Sequence, residues 1–263
     1  MEESNKRKDE ELRIKDEELL KMKDEKDKEK QRADQAEQRK EEEIKLLKAE
    51  IDQMKNIEKL KPKQETQKKQ SSPTQDYPIS IINNDPQNIV LSDVDGVMKK
   101  ISKKNIKLTT VSLTQILENG IWQMEAEFNN SQNCAAIGIV RDTYNIPTDT
   151  HPCHDPHRNH MVSYGMSGFG IGDGAVKYKG NGTSGNIAYK DNQIIKAEFD
   201  SEKGTLIFSV DGVQQPVYVR GINEKVRFFV YMFGSQAYCT IRSLKKLIAP
   251  TTKHVANEIA VQW

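Results

Sequence analysis

Between Ile194 and Val219 the chain reads IIKAEFDSEKGTLIFSVDGVQQPVYV. Apolar and polar residues alternate on both sides of two turn signals, Asp200-Ser201-Glu202-Lys203-Gly204 and Asp211-Gly212. A period of two broken by such turns is the pattern of successive antiparallel strands with one buried face. The stretch therefore predicts a three-strand meander. Ala197, Phe199, Leu206, Phe208, Val210, Val217 and Val219 fall on the inward face, and Lys196, Glu198, Thr205, Ile207, Ser209, Tyr218 and Arg220 on the other. No catalytic motif lies within it.

The same grammar extends over the second half of the chain. Ile89 to Leu91, Lys107 to Leu113, Ile121 to Phe128, Ala135 to Val140, Val226 to Met232 and Ala237 to Ile241 read as short strands separated by Gly and Asp-Gly turns. Strands at this spacing predict a mainly β fold, an antiparallel two-sheet β-sandwich of jelly-roll type. About 160 residues suffice for one good core. Trp122, on an alternating strand, is expected to fill it.

The first 61 residues obey different rules. They contain no Gly or Pro and consist almost wholly of Glu, Lys, Asp, Arg, Gln and aliphatic residues. This composition predicts a long N-terminal α-helix. Pairs such as Glu11 with Lys15 and Glu41 with Lys45 add support at four-residue spacing. Ile44, Leu47, Ile51 and Met54 form a heptad seam, while charged residues interrupt the earlier heptads. The segment reads as a coiled coil that makes a homo-oligomer, or else as a solvated single-helix spacer. Pro62 ends it. Residues 62–87 read as a disordered linker, residues 88–248 as the sandwich, and residues 249–263 as a tail whose alternation at Ile259, Val261 and Trp263 fits a last strand.

Across 263 residues, 40 basic and 39 acidic side chains leave a net charge of +1. No global field draws the protein to nucleic acid. No apolar run reaches the roughly 20 residues that span a bilayer. Three scattered cysteines, Cys134, Cys153 and Cys239, do not make a disulfide framework, and the expected setting is reducing and cytoplasmic.

His151, His154, His157 and His160 crowd one stretch with Cys153 and Asp155. His151, Cys153, His154 and His157 are the set that could clip a metal ion, although Pro152 and Pro156 deny them one helical face. The alternative is a recognition loop, from Thr143 to His160, in which Tyr144, His154, Asp155, His157 and Arg158 suit contact with a ligand. Tyr164 and, in the glycine-rich stretch that follows, Phe169 complete the candidate set. Gly170-x-Gly172-x-Gly174 is not followed by a helix pattern and so does not fit a phosphate loop. Asp93-x-Asp95-Gly96 begins like a calcium loop, but Lys99 and Lys100 stand where oxygen ligands belong. No nucleophile elbow, phosphate-binding loop or metalloprotease His pair is present, and no cofactor is expected.

Ile121 to Phe128, Ala136 to Val140 with its Ile-Gly-Ile, Val162 to Gly165, and the meander with Asp-x-x-x-Gly-Thr-Leu-x-Phe and Asp-Gly together resemble the SPRY domain over residues 88–248. A coiled coil before such a domain resembles the C-terminal half of tripartite-motif proteins, here without RING or B-box Cys/His arrays ahead of the coil. The resemblance implies a twisted sandwich that is not an enzyme and binds a protein or peptide through loops, as an adaptor on a helical stalk. A lectin-like carbohydrate module is the alternative, with a metal-binding protein built on the histidine loop behind it.

Overall fold

The structure, a computed structural model, describes residues 74–169 and 174–263, with the side chain of Phe169 excepted, and isolated N-terminal positions from Lys23 to Lys48. Those isolated positions carry helical backbone, but no α-helix is among the described elements. The long N-terminal helix, its coiled-coil seam and residues 62–73 of the linker lie outside the described residues.

In chain order the first strands are β1 (Gln75–Asp76), β2 (Ile81–Ile82), β3 (Ile89–Asp93), β4 (Lys99–Lys103), β5 (Thr109–Leu113), β6 (Ile121–Asn129) and β7 (Ala135–Arg141). They continue as β8 (Met161–Gly165), β9 (Val176–Tyr178), β10 (Asn181–Thr183), β11 (Ile194–Asp200), β12 (Thr205–Val210), β13 (Val213–Gln214) and β14 (Val217–Arg220). The last are β15 (Val226–Met232), β16 (Tyr238–Leu247) and β17 (Ile259–Gln262). Among the described residues these form a ten-stranded sheet, β17-β14-β12-β11-β6-β16-β4-β3 with β1 and β13 attached, and a seven-stranded sheet, β10-β9-β8-β7-β15-β5-β2.

The meander is β11, β12 and β14, in the larger sheet. Ala197, Phe199, Leu206, Phe208, Val210, Val217 and Val219 are all buried, as the alternation requires. From the smaller sheet, Ile137, Ile139, Val162, Tyr164, Phe228 and Val230 join them in one core. Each large apolar side chain buried there stabilises the fold by about 1.5–3 kcal/mol. Ile137 and Ile139 bracket Gly138, where a side chain would strike the backbone oxygen of Val162 at 1.9 Å. Glycine is what lets β7 and β8 approach so closely.

Two sequence expectations change. Residues 74–87 are not linker: β1 pairs with β16, β2 with β5, Ile79 is buried, and Tyr77 packs edge-on against Trp122 at 4.7 Å. Two-residue strands are too short to show a period, so composition alone reads them as linker. Glu198 and Ser209, assigned to the outward face, are buried as well. The tail explains Glu198, whose carboxylate accepts hydrogen bonds from Thr251 N (3.0 Å), Thr252 N (3.2 Å), Thr252 Oγ1 (2.9 Å), Gln123 Nε2 (3.2 Å) and the Thr251 hydroxyl. Beyond this latch the tail runs into β17, parallel to β14, pairing Val217 with Ile259 and Arg220 with Gln262.

Candidate ligand-binding site

The outer face of the smaller sheet is apolar in the middle, where Ala136, Val140, Met161, Phe229 and Tyr231 form a second cluster. Left bare, such a face would favour association. The loop joining β7 to β8 covers it, laying Tyr144, Ile146 and Cys153 on the cluster.

Polar ties then fix the loop to the sheet. Buried Arg227 donates to Tyr144 O at 2.9 Å and lies 3.6 Å from Asp142. Thr110 Oγ1 donates to Thr150 O at 2.6 Å, and Asn84 Nδ2 to Ile146 O at 2.9 Å. The Leu108 amide donates to Asp149 Oδ1 at 3.1 Å. With its carbonyls held by side chains of the scaffold, the loop is preorganised.

The histidines sort by partner. Tyr144 stacks on His160 (4.1 Å between centroids, 8° apart) and its hydroxyl shares a hydrogen bond with His157 Nδ1 at 2.6 Å. His151 and His154 stack at 4.2 Å, and His151 lies 4.7 Å from the ring of Tyr231. Burial, helped by the neighbouring His154 and Lys177, pulls His151 down to about 4, so the ring is neutral at physiological pH. Its Nδ1 accepts the Cys153 amide at 3.1 Å, which puts the ring proton on Nε2. Burial pushes the Cys153 thiol up, and its sulfur faces Ser163 Oγ at 3.6 Å.

This arrangement does not suit the metal clip. Two imidazoles stacked face to face cannot converge their lone pairs on one ion, and His157 Nδ1 is engaged by Tyr144. Among the described residues no group of three or more His, Cys, Asp or Glu side chains is placed to hold a metal.

What the loop does build is a cavity of about 340 Å³ against the β9–β10 hairpin, lined in part by His151, Cys153, His154, Arg158, Lys177 and Tyr178. The Lys179 amide donates to Arg158 O at 3.2 Å, joining loop to hairpin. Gly180, at φ +83°, lies under the Arg158 guanidinium, and a Cβ there would come within 2.9 Å of Nη1. The hairpin thus supplies a floor on which Arg158 lies.

Of the residues singled out from sequence, His154 and Arg158 line the cavity. Asp155 stands beside them, paired with Arg158 at 2.7 Å. Tyr144 and His157 are joined to each other and hold the loop on the sheet. Tyr164 lies in the central core, its hydroxyl donating to Ile187 O, and is closed to a ligand. The side chain of Phe169 is outside the described residues. Lys177 was missed. It is the polar position between Val176 and Tyr178, and its signal is that alternation, but only the fold shows which loop it faces.

No family model matches the chain, and no curated protein matches its sequence. Among solved structures the fold is similar to the TRIM65 PSpry domain, with 14% identity, a TM-score of 0.47, and coverage of 63% of this chain and 92% of that one. It is similar also to the SPRY domain of human HERC1, with 13% identity, a TM-score of 0.46, and coverage of 63% and 99%. A structure of stonustoxin is similar at 16% identity and a TM-score of 0.45, over 63% of this chain and 27% of that one.

Proposed function

We propose that this protein is a non-enzymatic recognition module that binds a peptide segment of a partner protein through the β7–β8 loop and the cavity beside it. The observation that carries the reading is the preorganised loop: side chains of the scaffold hold its backbone, while His154 and Arg158, the latter paired with Asp155, line a cavity of about 340 Å³. A rigid scaffold presenting a fixed loop loses little conformational freedom on binding, which favours affinity. The N-terminal segment, as a coiled coil, would gather copies of this module into a cytoplasmic adaptor and raise avidity through effective concentration.

A catalytic reading gains no support from the same residues. The Cys153 thiol is held protonated, whereas nucleophilic attack requires the thiolate. A sugar-binding reading wants an open aromatic face, and the ring of Tyr178 is stacked at 4.9 Å and 5° by Trp263.

The test is a randomised peptide-display selection on the full chain, repeated with His154→Ala combined with Arg158→Ala. Selected peptides should bind the wild type and lose the variant. Peptides that bind both equally would place recognition on another face.

A further inference from the structure

Among the described residues the two sheets end in β17 and β3 and in β10 and β2, and β3 is the longest of these edge strands. It is exposed from Val90 onward. Its bonding to β4 alternates. Val94 N donates to Met98 O at 3.1 Å and Lys104 N to Asn88 O at 2.9 Å, so Val90 and Ser92, which pair with Ser102 and Lys100, turn their backbone groups toward β4. The groups of Ile89, Leu91 and Asp93 therefore point away from the sheet. Ile89 is satisfied within its own chain: its amide donates to Asp85 O at 2.9 Å, and its oxygen accepts from Asn83 Nδ2 at 3.4 Å. Leu91 and Asp93 make no such backbone bond among the described residues.

These two open residues are spaced so that the edge complements itself. When two β3 strands run antiparallel about a two-fold axis at Ser92, Leu91 of each faces Asp93 of the other, and each pair exchanges both of its N–H···O bonds. The same register sets Val90 against Val94 of the other copy on the outward face, with the two Ser92 side chains between them. Val90 and Val94 are both exposed in a single copy, and this pairing covers them. On the inward face a groove of about 310 Å³ runs beside the edge, with Ile79, Ile81, Leu91 and Lys99 among its walls. Leu91 of the other copy enters that groove next to Asp93. Opposite charges also meet at the ends of the pair. Asp95 holds its own turn by accepting from Val97 N and Met98 N through Oδ1, and the register carries it to the end of β3 in the other copy, where Lys104 is exposed.

We propose that β3 is a docking edge for a second copy of this chain, joined antiparallel through Leu91 and Asp93 so that the larger sheets of the two copies run on into each other. The contact needs neither the N-terminal segment nor the β7–β8 loop, and it stands apart from the peptide reading.

Oxidative cross-linking of the full chain tests it. Ser92→Cys puts the two new thiols directly opposite each other in a non-hydrogen-bonded pair, where Cα atoms lie about 4.5 Å apart, within reach of a disulfide. The linked dimer should form about tenfold faster or more than from Val97→Cys, which is equally open to solvent but faces no Val97 of the other copy in this register. Wild type measures the background from Cys134, Cys153 and Cys239. Adding Leu91→Pro to Ser92→Cys removes one outward N–H that takes no part in the β3–β4 ladder, so the fast cross-link should be lost while the melt stays that of Ser92→Cys alone. Leu91→Lys keeps the backbone and brings a charge into the groove; it should slow the cross-link about tenfold too, and it carries the comparison if the proline variant does not fold. A cross-link no faster than that of Val97→Cys, or one that survives either change at Leu91 in a folded variant, overturns the proposal.

Discussion

Lys103 carries an ammonium group into the interior of the sandwich, where it donates to the carbonyl oxygens of Met232, Lys107 and Phe233. A buried lysine is stable only with such partners, and here it ties β4 to the end of β15. Lys103→Met keeps the length of the side chain but orphans these acceptors. We expect a loss of about 2 kcal/mol in urea unfolding. His151 sets a pH dependence. The unfolded chain takes up a proton on this ring near the ordinary histidine value of 6.5, while the folded chain refuses it until about 4. Stability contributed by this group is therefore present above 6.5 and is lost as pH falls from about 6.5 toward 4. Lys177 and the imidazoles of His154 and His157 are the neighbours that disfavour a charge on this ring, after burial itself. His151→Asn, which retains an acceptor and does not titrate, should flatten the fall of Tm across that window. At this scale the sequence marked His154 and Arg158, which line the cavity, because exposed polar residues in a long loop are visible as such. It could not separate them from Tyr144 and His157, since residues of the same kind serve as ligand contacts or as loop anchors depending on what lies beneath. Nor could it keep Tyr164 out of the set: a strand aromatic can point to either face, and only the packing of the second sheet decides.

Among elements, β7 and β8 are held at a spacing that Gly138 alone permits. Gly138→Ala should cost about 3 kcal/mol or more, read as a fall in Tm with the loop-side contacts of Phe229 lost as well, because the Phe229 ring is 3.0 Å from the added carbon. The latch of the tail onto β11 makes a separate prediction. Glu198→Ala should speed tryptic cleavage after Lys253 about tenfold or more while the rest of the sandwich resists, because Thr251 and Thr252 lose the carboxylate that holds them. The meander, β6, β7 and β15 were legible from alternation and turn residues, with bounds close to those observed. The short strands β1, β2, β9 and β10 were not, since two or three residues carry no measurable period and their pairing is fixed by partners far along the chain. Glu198 shows the same limit: period places it outward, and a segment more than fifty residues later buries it.

At the scale of the molecule, the sandwich is closed by its extremities. Gln75 pairs with Lys246, so the first described strand depends on nearly the last long one. Such non-local pairing makes deletion of residues 74–87 a deletion from the sheet, whatever their composition suggests. The parallel strand β17 does for β14 what no side chain could: it satisfies the Val217–Arg220 edge, with Ile259 N on Pro216 O at 2.9 Å and Trp263 N on Arg220 O at 3.0 Å closing the two ends. An open edge of this kind is a template on which another chain can grow. A version shortened before Asn257 should still fold around its core, yet on gentle warming it should polymerise edge to edge, giving light scattering and a thioflavin signal that the full chain lacks. The tail thus moves the edge of the larger sheet from β14 out to the short strand β17, and the last seven residues keep the backbone groups of Val217–Arg220 out of reach of another chain.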